Sequence, residues 1–586
     1  MRFSRSYYLR FMAFAMLVLV VAASFTSCSG YGDKRSELLK YVSDDVAVII
    51  AMNPTVFIQS AGGRVENGQV TVPPVLENLV KKNFGKADRR RFNSMAEVKG
   101  INLESVLLAI YNDDDDNALD IWLMYVADHD DFARYMSDLG MDDDKEDGMI
   151  CYTGRKWDVA VVVHDDVAFI LDGCDDSSDA ADKVKELLRD AEKRKLASWK
   201  CDFLEKKHKC ALSLVFLENI PSRDIERFYN HKDVNDDANV LGVDMDIDGS
   251  RLAVDVHMFD KNGKPADIVQ KSALESFDPA LLSLYSDDAG MFGAMSLKGT
   301  LFDDSRVSIM EEINRELFRN LFGENLSDYN QYSYDSYWGY MNTYNPMKEK
   351  LDTMARNMAF RKLFNDVDAV SAGFRVKDGA TPDFSKPETL INSTSYVAGA
   401  TFSTDKSAAS FLGEWNKAGI SGQTSEQNCL TFKPHALGGK DVYMLQSGAN
   451  VILSDVKSPA SFKHSYTFDI NDAVASFSVN MPKDGAFMKA LPIKTGFGVK
   501  AWGVLGRNSA RGEITLSGSD SGFIETLLEL VQKVSSFMRS ESRYSFDDYS
   551  DDFVAEYADS VAVVEEVVAV EEPVEIAVDT LENINI

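Results

Sequence analysis

LLKYVSDDVAVIIAM, residues 38–52, returns 243 positions later as LLSLYSDDAGMFGAM, residues 281–295, with Leu-Leu, Ser-Asp-Asp and Ala-Met at the same spacing. A single match of this kind can arise by chance, but an ordered series follows it. DIWLMYVADHDDFARYMSDLG (120–140) has the layout of YVAGATFSTDKSAASFLGEWNKAG (396–419): an apolar strand, an Asp-containing turn, an amphipathic helix and a glycine stop. Cys151 with WDVAVVVHDDVAFIL then corresponds to Cys429 with KDVYMLQSGANVIL, each reading as two strands joined by a tight turn. KCALSLVFL stands against HSYTFDINDAVASFSV, VLGVDMDIDGSRLAVDVHM against KAWGVLGRNSARGEITLS, and Ile268-Val269-Gln270-Lys271 against Leu530-Val531-Gln532-Lys533. By the last pair the offset has grown to about 262, as insertions in loops would make it.

The series predicts two tandem homologous domains, residues 38–275 and 276–540. Each is α+β, a mainly antiparallel or mixed sheet with packed helices. In VDMDIDGSRLAVDVHM, Val243, Met245 and Ile247 alternate with Asp244, Asp246 and Asp248, the period of a half-buried strand. That pattern favours antiparallel hairpins over a doubly wound nucleotide-binding sheet.

The N-terminus reads as an export signal. Arg2, Arg5 and Arg10 precede an apolar run from Phe11 to Ala23, too short for the ~20 residues that cross a bilayer. SFTSCSG resembles the loose lipobox of Bacteroidetes lipoproteins, which implies that residues 1–27 are a lipoprotein signal peptide, that Cys28 is diacylated, and that residues 28–37 are a polar tether. The alternative is a plain signal peptide in which Cys28 is incidental. A diacylated Cys28 holds the protein on the outer membrane, because more than one acyl chain makes anchorage stable. Without a dense acidic run after the cysteine, the periplasmic side is favoured over the cell surface. At the other end, residues 541–586 read as a disordered acidic tail, with 13 acidic and no basic residues from Tyr544 onward.

With 62 Lys and Arg against 93 Asp and Glu, the formal net charge is −31, which argues against nucleic acid as a partner. Beyond Cys28 five cysteines remain, an odd number that no disulfide scaffold would have. Cys201 and Cys210 could close a short disulfide loop, and with His208 they offer three zinc ligands but no fourth. Asp244, Asp246, Asp248, Gly249 and Asp255 match the spacing of a calcium loop, yet the same residues fit a strand with an Asp-Gly turn, and the second copy lacks them. No Gly-x-Ser-x-Gly, His-Glu-x-x-His or phosphate-binding glycine loop occurs. The sequence therefore points to no catalytic residue, metal or cofactor.

The signal peptide with Cys28, the opening YVSDDVAVIIAMNPTVF and the two-copy layout together resemble the DUF4836 family of Bacteroidetes lipoproteins, over the chain up to about residue 540. No catalytic motif defines that family, so the resemblance implies none here. One segment stands apart: Tyr329, Tyr332, Tyr334, Tyr337, Trp338, Tyr340 and Tyr344 put seven aromatics into 16 residues, among Asn, Gln, Ser and Asp. Such rings suit contact with a glycan or protein; Tyr334, Tyr337, Trp338 and Tyr340 are the candidate binding residues, against a loop that merely covers its neighbours. The expectation is a non-enzymatic binding or structural protein of the envelope, with a membrane contact through its lipid and an envelope protein or glycan as partner. The second reading is an envelope hydrolase acting on glycan or peptide from a site between the two copies.

Overall fold

The computed structural model describes residues 34–66, 69–71, 99–112, 118–154, 159–174, 176–206, 209–219, 235, 237–277, 290–303, 305–313, 357–377, 380, 393–418, 424–433, 440–457, 473–491, 495–519, 521–531 and 533. Met1–Leu528 form one compact unit, whose fold is given below. A second unit runs from Glu529, and of it only residues 529–531 and 533 are described. Cys28, the four candidate aromatic residues and the acidic tail all lie outside the described residues.

The first half of the chain supplies β1 (Val48–Met52), β2 (Arg64–Glu66), β3 (Gln69–Thr71), β4 (Ile101–Asn112), β5 (Ala118–Val126) and β6 (Asp142–Glu146). It continues with β7 (Met149–Thr153), β8 (Val159–His164), β9 (Val167–Asp172), β10 (Ala211–Phe216), β11 (Val240–Asp248) and β12 (Arg251–Phe259). The second half supplies β13 (Met291–Ser296), β14 (Val367–Val376), β15 (Thr394–Phe402), β16 (Thr424–Glu426), β17 (Cys429–Phe432) and β18 (Val442–Ser447). Its last strands are β19 (Asn450–Ser454), β20 (Ala475–Met481), β21 (Gly498–Leu505) and β22 (Ser509–Ser517).

Apart from the β2–β3 hairpin, these strands form one antiparallel sheet of 20 strands. Across it, the first half runs β6-β7-β8-β9-β5-β4-β1-β10-β11-β12. The second half runs β16-β17-β18-β19-β15-β14-β13-β20-β21-β22. The two orders agree strand for strand, and β12 pairs β22 so that the halves share one sheet instead of each closing its own.

Local chemistry places the helices. In the opening motif, Asn53 caps α1 (Pro54–Ser60) by accepting from the Thr55 N–H, and Pro54 takes the first helical position, where a missing N–H costs nothing. Asp128 caps α2 (His129–Asp138) and Asp176 caps α3 (Ser177–Lys193) in the same way. The short α4 (Ser198–Leu204) follows. α2 buries Phe132, Tyr135 and Met136 against one face of the sheet, with Leu108, Trp122 and Met124. α3 buries Ala180, Ala181 and Val184 against the other, with Ile49, Leu107, Leu123 and Phe169. A strand covered on both faces reads as continuous apolar sequence, which is why β1 is VIIAM. In the second half α5 (Met358–Leu363) and α6 (Asp405–Ala418) pack on the face that α2 covers in the first.

Candidate functional site

In the first copy the Ser-Asp-Asp forms a clasp. The Ser43 N–H donates to the Tyr111 hydroxyl at 3.2 Å. Asp44 pairs with Lys200 of α4, and Asp45 with Arg194 at 2.9 Å. Lys200 is buried, with its ammonium 4.3 Å from the centre of the Phe216 ring. The matching Ser286, Asp287 and Asp288 fall outside the described residues.

Asp244, Asp246 and Asp248 lie on β11, and Gly249 turns the chain at φ 55 into β12, where Asp255 stands directly opposite Asp244. Lysine and arginine side chains pair with three of them: Lys209 lies 3.3 Å from Asp244 and 3.9 Å from Asp246, and Arg511 of β22 lies 3.1 Å from Asp255. Among the described residues no group of three or more His, Cys, Asp or Glu is placed to hold a metal ion. Cys201 and Cys210 are both free thiols, as are Cys151, Cys174 and Cys429. Burial pushes the Cys210 thiol well up and the Cys174 thiol to about 11, so neither is a ready nucleophile.

The feature that sequence reasoning missed is a cavity of about 590 Å³ in the second half. Its floor is the sheet, where Gly293, Met295, Val370, Ala372, Ala398 and Ala400 point up. Its roof includes Met310 and Ile313 of the helical segment 306–313 and Phe411 and Trp415 of α6. Met444, Val451 and Leu453 close one end. Among the described residues, Glu312 is the single ionisable one in this lining.

The ladder shows why the space exists. In the first half Ile50 pairs Leu108, Leu108 pairs Trp122, and Trp122 pairs Ile170. In the second half Gly293 pairs Ala372, Ala372 pairs Ala398, and Ala398 pairs Leu453. Strand by strand these are the same rung, with isoleucine, leucine and tryptophan replaced by glycine, alanine and alanine. On the next rung Met124 of β5 faces Ala400 of β15 in the same comparison. Protein interiors pack at crystal-like density, so three large side chains missing from one row leave a real void unless the roof collapses. It does not collapse: the roof has its own aromatic packing, with Phe411 stacked at 5.4 Å on Phe360 and Trp415 edge-on to Phe432 at 5.7 Å. The signal was present in the sequence, since the offset of 243 already set Ile50 against Gly293.

The same sheet face continues beyond the cavity as exposed apolar surface. Met291 and Met295 of β13, Phe477 of β20, Leu505 of β21 and Ile514 of β22 are 37–51% exposed. Their registers put them all on this face. The Phe477 ring lies over Gly503, where an added Cβ would come within 2.3 Å of it. The opposite face of the same central strands carries the ion pairs Arg251–Glu513, at 2.9 Å, and Arg511–Asp255. Near its centre the sheet is thus apolar on one side and charged on the other.

No family model and no curated protein matches the chain, so its resemblance to DUF4836 rests on the residues quoted above. Among solved structures, crystal form III of TP0453 matches at 11% identity and a TM-score of 0.24, covering 39% of this chain and 81% of that one. Crystal form I matches at 10% identity and a TM-score of 0.23, with the same coverage. No residue or role is carried over from matches this distant. Among the described residues no helix is long and apolar enough to cross a membrane.

Proposed function

We propose that this chain is a lipid-anchored, non-enzymatic binding protein of the bacterial cell envelope, of the DUF4836 type. In this reading it is built from two copies of one domain, of which the first is a filled scaffold and the second holds an apolar ligand. One observation carries it: the same ladder rung is Ile50, Leu108 and Trp122 in the first half and Gly293, Ala372 and Ala398 in the second, under an intact aromatic roof. Hollowing a core costs stability, commonly 2–5 kcal/mol per large-to-alanine change. A hollow maintained across three strands, in a volume typical of small-molecule sites, argues for an occupant.

The identical strand order and the ordered sequence series support duplication. Cys28 and the preceding apolar run support a lipid anchor on the outer membrane, facing the periplasm, and the composition of the acidic tail and of the Tyr334, Tyr337, Trp338 and Tyr340 segment supports contact with an envelope protein or glycan. The hydrolase reading needs a cleft between the halves, and where the described strands meet, β12 and β22 form a continuous ladder instead. The experiment has two arms. Cys28→Ala should move the protein from the membrane to the soluble fraction without unfolding it. In that soluble form Nile red should bind with a fluorescence gain that Ala398→Trp removes; equal dye binding by the variant, with its fold intact, would sink the cavity as a site.

A further inference from the structure

We infer that Phe477 is the latch of the cavity: its ring is parked on Gly503 while the cavity is empty, turns over Gly293 onto an apolar molecule once one is inside, and so sets how long that molecule stays. This rests on the ligand-binding reading above. Register supplies the pivot. Phe477 of β20 pairs with Gly293 of β13 on one side and with Gly503 of β21 on the other, and Gly503 pairs with Gly512 of β22. The floor rung Ala398-Ala372-Gly293 therefore continues as Phe477-Gly503-Gly512, a single bulky side chain set among glycines and alanines. In the first half the positions of Gly293, Phe477, Gly503 and Gly512 are held by Ile50, Ser213, Val243 and Val256. The sizes are inverted: the filled copy has a serine where the hollow copy has the ring.

A glycine on each side gives the ring two resting places. It occupies the one away from the cavity, since a Cβ added at Gly503 would lie 2.3 Å from one ring carbon and 2.8 Å from the next. The other place has room: among the described residues a Cβ at Gly293 would meet only the Ser476 carbonyl oxygen, at 3.6 Å. Rotation about χ1 between staggered wells carries the ring from one neighbouring strand to the other. Solvent reaches this end of the cavity, because Phe477 is 51% exposed and Met295, a lining residue two positions along β13 from Gly293, is 38% exposed. The parked ring thus keeps half of its surface in water. An apolar molecule lying on Gly293 offers that surface something to cover, whereas the bare floor offers little, so the occupant itself biases the latch toward closure.

The test is stopped-flow uptake and release of Nile red by the Cys28→Ala protein. Phe477→Ser, which installs the side chain of the first copy at a half-exposed position, should release the dye about tenfold faster, the fold-change that burying roughly 50 Å² of ring supplies. Its uptake should be as fast as the parent's or faster. Gly503→Ala should act in the opposite sense. Its methyl takes the parking place and meets the far edge of a side chain and not backbone, so the ring moves and the strands do not. With the ring held over Gly293, uptake and release should both slow, by about tenfold or more. The double variant Phe477→Ser with Gly503→Ala should exchange dye as Phe477→Ser alone does, because the methyl then has no ring to displace. Release from Phe477→Ser at the parent rate, or parent kinetics in Gly503→Ala, would overturn the latch while leaving the cavity a binding site. A slowing by Gly503→Ala that persists in the double variant would overturn it too, since the effect would then not pass through the ring. If the parent takes up no dye, or Ala398→Trp takes it up equally, the binding reading falls and the latch with it.

Discussion

Trp122 and Ala398 hold the same rung of the sheet: each pairs with the residue of the preceding long strand that faces β1 or β13, Leu108 in one case and Ala372 in the other. Around Trp122 the space is filled, and the indole is almost wholly buried with Leu108, Met124, Phe132 and Tyr135. Around Ala398 it is open. Trp122→Ala should therefore cost about 3–5 kcal/mol, the usual penalty for an emptied aromatic site, read as a lower urea midpoint at unchanged slope. Ala398→Leu should be neutral or stabilising by up to ~2 kcal/mol, because it fills a void that already exists. Equal losses at the two positions would show that the halves are packed alike.

The Ser-Asp-Asp clasp predicts an asymmetry. Lys200 is buried while its partner Asp44 is 41% exposed. Asp44→Ala strands an ammonium among Phe216 and Trp199 and should destabilise by roughly 1–3 kcal/mol, less than for a pair buried on both sides because Asp44 is half-exposed. Lys200→Met leaves Asp44 free to be hydrated and keeps the aliphatic packing, so it should be close to neutral. Thermal melts of the two variants decide it; a larger loss for the methionine variant would mean that the charge on Lys200 itself holds α4 in place.

Much of this fold was legible from residues whose meaning is local. Asp165 at φ 51 and Gly448 at φ 60 are the hairpin turns that the paired apolar runs required, and the alternation in β11 was a strand. The seam was not legible, because β12 and β22 are more than 250 residues apart and nothing in either sequence names its partner. The cavity was hidden for a related reason. Gly293, Ala372 and Ala398 are each unremarkable in a strand, and they become a site only when register lays them side by side. The aspartates that imitate a calcium loop show the converse: their spacing carried a motif, and their neighbours Lys209 and Arg511, one of them more than 250 residues away in sequence, gave it a structural meaning.

Thiol reactivity should follow burial. Cys151, Cys174, Cys210 and Cys429 are buried, and Cys201 is partly exposed. Burial raises all five thiol pKa values, so little thiolate exists near neutral pH. In the Cys28→Ala protein a disulfide exchange reagent should label at most Cys201, slowly, and all five only in denaturant. Absence of any labelling in denaturant without reductant would instead mean that these cysteines are oxidised.

His257 gives the last prediction, a pH dependence that its position in the sheet dictates. It sits on β12 with Gly242 on one side and Ser509 of β22 on the other, so it lies in the seam that joins the halves. Burial lowers its pKa from the ordinary imidazole value; the carboxylates of Asp255 and Asp244 oppose this and Lys206 adds to it, but burial prevails. In the unfolded chain the ring returns to about 6.5 and takes up a proton more readily than in the fold. The unfolded state therefore binds more protons in the window just below 6.5, and stability rises with pH through that window. This contribution is complete above about pH 6.5 and is lost as the pH falls below it. The urea midpoint should then drop between about pH 7.5 and pH 5.5, a range above most carboxylate titrations. His257→Gln keeps a polar side chain of similar reach that cannot charge, so its midpoint should change less over the same interval. An identical drop in both proteins would place the pH sensitivity elsewhere in the sheet.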